Sequence, residues 1–262
     1  MDTMRIDVPS AALRFGFVNE PVGSHTSRTI MLREIETLLA SMSETPSYAE
    51  YAAAIVDGNV LHKATATTRR KTLRHLREFY GLADTLPVFA AMRAAWYADP
   101  DGRPIIAGLC ATTRDPVMRA TLSSVTHLAL GESVTSEELA DAVSQSFPGR
   151  YGGTVIHRIG RGLASSWAQT GLLEGHLHKV RARPVATPIG VAYALYLGHL
   201  CGNSGDAGFC TIWSSMLDRT ASELRSLAVA AARLGWLEYR ESGGVTQMTF
   251  HHFESLNHEL GQ

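Results

Sequence analysis

Residues 211–250 read TIWSSMLDRTASELRSLAVAAARLGWLEYRESGGVTQMTF, and the order of signals within them decides the fold. Thr211 to Leu217 is long enough for one short helix. Thr220 can cap a longer one, whose apolar stripe Leu224, Leu227, Ala228, Ala231 and Leu234 recurs every three or four residues. Gly235 supplies the stop, since glycine tolerates the left-handed conformation that ends helices. Trp236 to Arg240 then alternates toward Ser242-Gly243-Gly244, and the chain returns as Val245 to Phe250, which predicts a β-hairpin. Helix, turn, helix and ribbon is the order of a winged helix-turn-helix, expected here over 205–253.

Upstream, 135–184 repeats this grammar. Thr135 or Ser136 with Glu138 forms a capping-box pattern opening a helix through Phe147. Pro148-Gly149 and Gly152-Gly153 make the turn. A helix from Thr154 to Thr170 follows, with Val155, Ile159, Leu163 and Trp167 four apart, and Gly171 closes it. His176 to Arg183 then reads as an exposed basic ribbon. A third unit, 46–80, lacks a wing: Ser47 caps a helix from Tyr48 to Val56, Asp57-Gly58-Asn59 turns the chain, and Thr67 or Thr68 caps a helix with stripe Leu73, Leu76, Phe79 and Tyr80.

The sequence therefore predicts a mainly α, multi-helical fold with tandem helix-turn-helix-like units and a C-terminal winged helix with a small β-hairpin. Residues 1–26 read as an irregular arm. Residues 27–132 form a helical domain with the basic unit; its first helix is expected from Ser27, and Pro87 to Leu130 is its helical scaffold. The second unit spans 133–184 and the winged region 185–262. No apolar run approaches the ~18 residues of a membrane span, and the first 30 residues lack a signal-peptide pattern. Cys110, Cys201 and Cys210 are an odd, scattered set, which points to a reducing compartment. A soluble cytoplasmic protein is expected.

The net charge of −1 hides an asymmetry. Lys63, Arg69, Arg70, Lys71, Arg74 and Arg77 face only Glu78 between 60 and 80. Arg150, Arg158, Arg161, Lys179, Arg181 and Arg183 face only Glu174 between 149 and 183. Two basic islands on an acidic body suit directed contact with a polyanion, although two solvated helix faces would look the same. A helix fits the major groove of duplex DNA, and arginine forks suit phosphate. Arg158, Arg161, Lys179, Arg181 and Arg183 are expected on one surface, and Lys63, Arg69, Arg70, Lys71, Arg74 and Arg77 on another. The C-terminal helix carries Arg219, Arg225 and Arg233 among Asp218, Glu223, Glu238 and Glu241, which favours packing or partner binding there.

Enzyme signatures are missing: no G-x-S-x-G, H-E-x-x-H, Walker lysine loop or C-x-x-C occurs. His176-Leu177-His178 could hold a metal but has no cysteine or carboxylate pair close by, so no cofactor or metal is expected. Cys201 and Cys210 read as small apolar fillers.

The stretch NVLHKATATTRR (59–70), followed by Leu73-Arg74, Leu76-Arg77 and Tyr80, resembles the BrxA family of BREX anti-phage islands. So does IGRGLASSW (159–167), leading into Gly171-Leu172-Leu173. The similarity runs from about 28 to 184; the winged C-terminus departs from the family pattern. The resemblance implies a helical, helix-turn-helix-like fold related in part to NusB-like RNA-binding factors. It also implies non-enzymatic DNA binding in support of phage restriction, with Lys63, Arg69 and Arg70 at motif positions. An adaptor holding other BREX subunits, or a NusB-like RNA binder, are the alternatives.

Overall fold

A computed structural model describes residues 6–43, 45–83 and 85–258. The first five residues of the expected arm and the last four of the winged region lie outside them. Two 3₁₀ turns, Ser10–Phe15 and Ser24–Thr26, precede the helices α1 (Leu32–Ala40), α2 (Tyr48–Val56) and α3 (Ala66–Tyr80). Then come α4 (Pro87–Ala98), α5 (Arg103–Arg114), α6 (Pro116–Ala120) and α7 (Leu122–Thr126). The second unit is β1 (Ser133–Val134), α8 (Ser136–Ser146), α9 (Gly153–Gln169), β2 (Leu173–Glu174) and β3 (Lys179–Arg181). The last comprises α10 (Pro188–Leu200), a 3₁₀ turn Gly205–Cys210, α11 (Ile212–Ser215), α12 (Ala221–Arg233), β4 (Glu238–Ser242), β5 (Val245–Thr249) and α13 (His251–His258).

The fold is mainly α with a small C-terminal hairpin, and local chemistry explains most boundaries. Ser47, Thr135 and Thr220 each close a capping box, with Glu50, Glu138 and Glu223 reaching back to the cap. Pro87, Pro116 and Pro188 stand at first helical positions, where a missing N–H costs nothing. Thr65, rather than Thr67 or Thr68, caps α3, its hydroxyl accepting from the Thr68 amide at 3.1 Å. In the hairpin, Gly243 and Gly244 both adopt positive φ, 58° and 79°, the pair that a two-residue primed turn requires. Ser242 accordingly pairs with Val245.

One expectation fails at the start of α1. Met31 sits at φ 57°, so the helix begins at Leu32 instead of Ser27. Tertiary bonds claim the residues before it: the Ile30 amide donates to Ser166 Oγ at 3.1 Å, and the Ile30 carbonyl accepts from Tyr80 Oη at 2.6 Å. Residues 24–31 thus form a strap pinned to α3 and α9. The arm before it is also tied down, with Val8, Ala12 and Phe17 buried. Fully buried Arg119 donates to the carbonyls of Ile6, Val18, Thr112 and Thr113.

Around 133–184 the sheet order is β1-β3-β2, all antiparallel, with Val134 opposite Lys179 and Leu173 opposite Arg181. Strand, helix, helix and two-stranded wing, closed by the first strand, is the winged helix-turn-helix order. A two-residue strand such as β1 leaves no period in the sequence, and none was expected. The apolar core continues without a break from the arm through α13. At its centre α5, buried from Ile105 to Thr113, touches α3, α4, α6, α9 and α10. Among the described residues, no helix is long and apolar enough to cross a membrane.

Helix α9 approaches α8 closely because residue 160 has no side chain. A Cβ there would overlap the Ser136 carbonyl oxygen and meet Ala140 Cβ at 3.0 Å. Gly160→Ala gains about 1 kcal/mol of helix propensity. Forcing the helices apart costs on the order of 1–3 kcal/mol, so we expect a net loss of stability, read as a lower urea midpoint.

Candidate nucleic-acid interface

The second winged unit presents α9 between two flanks. Ile159, Leu163, Ala164 and Trp167 are buried, whereas His157, Arg158 and Arg161 are exposed on the outer face. On one flank stands the wing, whose tip His176-Leu177-His178 is exposed, Leu177 at 85%. Lys179 Nζ donates to the Gly175 carbonyl, closing the base of that turn. Between helix and wing lies a groove of about 410 Å³, lined by Arg161, Ser165, His176, His178, Lys179 and the Thr135–Ser136 start of α8, among others. On the other flank the strap crosses the later turns of α9: the Arg28 and His25 carbonyl oxygens lie 3.4 Å from where a Gly162 Cβ would stand. Leu32 likewise donates its amide to Gln169 at 3.0 Å. The earlier turns are therefore the open part of the helix.

The basic residues divide sharply. Among the described residues, Arg70, Lys71, Arg158 and Arg161 make no hydrogen bond or ion pair and are exposed. Arg74, at 62% side-chain exposure, faces Glu78 across 3.7 Å, a solvated i,i+4 pair of small value. The others are engaged by the fold. Lys63 pairs with Glu34 at 3.0 Å, Arg69 donates to the Val56 carbonyl at 2.7 Å, and Arg77 stacks 5.0 Å over Tyr48.

Arg181 corrects the expected ribbon most clearly. It is buried, donates to the Leu172 and Ala182 carbonyls, and pairs with Asp218 at 3.2 Å. Burial pushes its guanidinium down from the usual arginine value, and Asp218 partly offsets that. Arg183 reaches the same carboxylate at 3.4 Å, though half exposed. A strand in isolation does not show that its outer side faces another module, so only Lys179 of the three lines the groove. Arg150 is exposed but engaged by the arm, donating to the Pro21 carbonyl at 2.8 Å.

Two residues at the strap were missed. Arg28 is exposed next to α9, its Nη1 donating to the neighbouring Ser27 carbonyl at 3.0 Å. It lies in neither basic run, so local charge density gave no signal. His25, Asp115 and Ser166 form a Ser-His-Asp line: His25 Nδ1–H donates to Asp115, and His25 Nε2 lies 2.9 Å from Ser166 Oγ. All three are buried, and Ser166 Oγ also meets the Gly162 carbonyl at 2.8 Å and the Ile30 amide. No substrate reaches that hydroxyl, so the line ties the strap to α6 and α9.

The remaining sequence candidates are unremarkable. Among the described residues no three metal-ligating side chains cluster, and His176 and His178 point from the wing turn alone. Cys110 is buried and its thiol is pushed up to about 11, mainly by that burial. Cys201 is half-buried, but Cys210 is exposed and is not the apolar filler expected.

Asp115 caps α6 through the Val117 amide at 2.8 Å. Burial would raise its carboxyl, but the charge and hydrogen bond of His25 with the capping amides outweigh this and hold it below its ordinary 3.8. A folded value below the unfolded one stabilises at higher pH and is lost as pH falls through the folded value. We therefore expect Asp115→Asn to cost about 3–5 kcal/mol at pH 7 by urea unfolding. The deficit should persist to pH 5 and shrink below 3.8; a deficit that stays constant with pH would assign it to packing instead. Set against known proteins, the chain matches no protein-family model and no curated protein.

Proposed function

We propose that this chain is a non-catalytic, cytoplasmic DNA-binding accessory protein of a BREX-type phage-defence system, contacting duplex DNA with low sequence specificity. The observation that carries the DNA reading is the outer face of α9. Arg158 and Arg161 stand there exposed, without an ion pair among the described residues, at the open end of the second helix of a winged helix-turn-helix, with Lys179 and the wing alongside. Leaving arginines without carboxylate partners on a docking helix suits a ligand that brings its own negative charge. Phosphate contacts of this kind supply affinity without base information. The BREX role rests on the resemblance of 59–80 and 159–173 to BrxA proteins.

The experiment is fluorescence anisotropy with a labelled 25-bp duplex between 50 and 200 mM salt. Several phosphate contacts predict an affinity loss of about a hundredfold or more over that range. Arg158→Glu with Arg161→Glu should weaken binding at least about tenfold. Arg225→Gln should not, since Arg225 is held by Asp206 at 2.9 Å on another module. Binding that ignores salt, or that survives the double reversal, would remove α9 as the contact.

A second reading, an adaptor for other BREX subunits, is favoured by the C-terminal unit. Leu234 and Val245 are 61% and 70% exposed there, while Arg225 is internally paired. Leu234→Glu with Val245→Glu should abolish co-purification with defence subunits and leave duplex affinity unchanged.

A further inference from the structure

We infer that the two basic islands are one DNA-contacting track, joined by Arg28 across the strap; this rests on the duplex-binding reading above. In sequence the islands lie about eighty residues apart, and nothing relates them. In the fold, a chain of short steps does. Arg74 Nη2 lies 3.5 Å from His75 Nε2, which lies 3.5 Å from Ser27 Oγ. Arg28 follows, and its carbonyl oxygen sits 3.4 Å from where a Gly162 Cβ would be. Gly162 adjoins Arg161 and is one helical turn from Arg158. Arg74, Arg28, Arg161 and Arg158 therefore occupy consecutive places on one side of the molecule, all exposed.

The strap packs directly on α9 at this point: a Cβ at 162 would stand in van der Waals contact with the Arg28 and His25 carbonyl oxygens. The strap itself is rigid: Ser24 is bonded to Glu78 and lies 3.2 Å from His75 Nδ1, and His25 is held by Asp115 and Ser166. Arg28 is thus presented from a fixed backbone and has no carboxylate partner among the described residues.

Glu78 is the carboxylate along the way, and it is occupied. Burial would raise its carboxyl, but the Ser24 and His75 hydrogen bonds and the charges of His75 and Arg74 hold it below its ordinary value. Arg70, exposed one helical turn before Arg74 on α3, continues the track away from the strap.

The test uses the full chain, the 25-bp duplex and unlabelled RNA as competitor. Arg28→Glu and Arg74→Glu should each weaken binding about tenfold at 50 mM salt, and Arg28→Ala should lower the salt slope by about one. Thermal melting should stay at the wild-type value, since both side chains are solvated. If both reversals bind like wild type while Arg158→Glu does not, the track ends at α9 and the proposal fails alone. No duplex binding by the wild-type chain, or displacement by RNA at lower concentration than by DNA, overturns it together with the functional reading.

Discussion

The buried pair of His25 and Asp115 is the constraint on which the rest depends. Asp115 serves three elements at once: it ends α5, caps α6 and holds the imidazole of the strap. Through His25 the same line continues to Ser166 in the middle of α9. Taking the Asp115 carboxylate out of water is expensive, and it is tolerable because His25 and the Val117 and Met118 amides all meet its oxygens. The result is a fixed distance between the central helix and the winged unit. The strap, which lies in no helix or strand over 28–31, takes its geometry from this pair and from Tyr80.

Arginine carries two distinct jobs in this chain. Arg119, Arg114 and Arg181 donate to backbone carbonyls in the last turns of α3 and α5 or in connecting segments, and so stand in for missing secondary-structure bonds. A guanidinium has five donors in a planar fork and can serve several carbonyls together. Lysine, with three donors on one nitrogen, reaches fewer and less widely spaced carbonyls, which accounts for part of the bias of 24 basic residues toward arginine. The second population, Arg70 and Arg74 on α3, Arg28 on the strap and Arg158 and Arg161 on α9, bonds no distant carbonyl among the described residues. Composition alone mixes the two, and only burial separates them.

Local signals made the helical order legible. Ser47, Thr135 and Thr220 with their glutamates, the prolines at first turns and the Gly243-Gly244 turn act within four residues, so they can be read without knowing the fold. The exposure of Arg158 and Arg161 on α9 was legible for the same reason, because it follows the helical period. What escaped was non-local. Strand β1 exists only because β3 lies beside it. Met31 turns left-handed because Ile30 is bonded from two sides by residues fifty and more positions away. Arg181 is paired with Asp218, and Arg28 lies against Gly162 of α9, neither being a neighbour in sequence.

The unbroken core has an evolutionary corollary. Winged helices are commonly exchanged between proteins as self-contained cassettes, each with its own hydrophobic centre. Here the strap, α5 and the buried arginines weld both winged units to the helices before them, and Arg181 of one unit is neutralised by Asp218 of the next. Recombination that imported a foreign winged unit would have to bring a matching strap and a matching acidic partner with it.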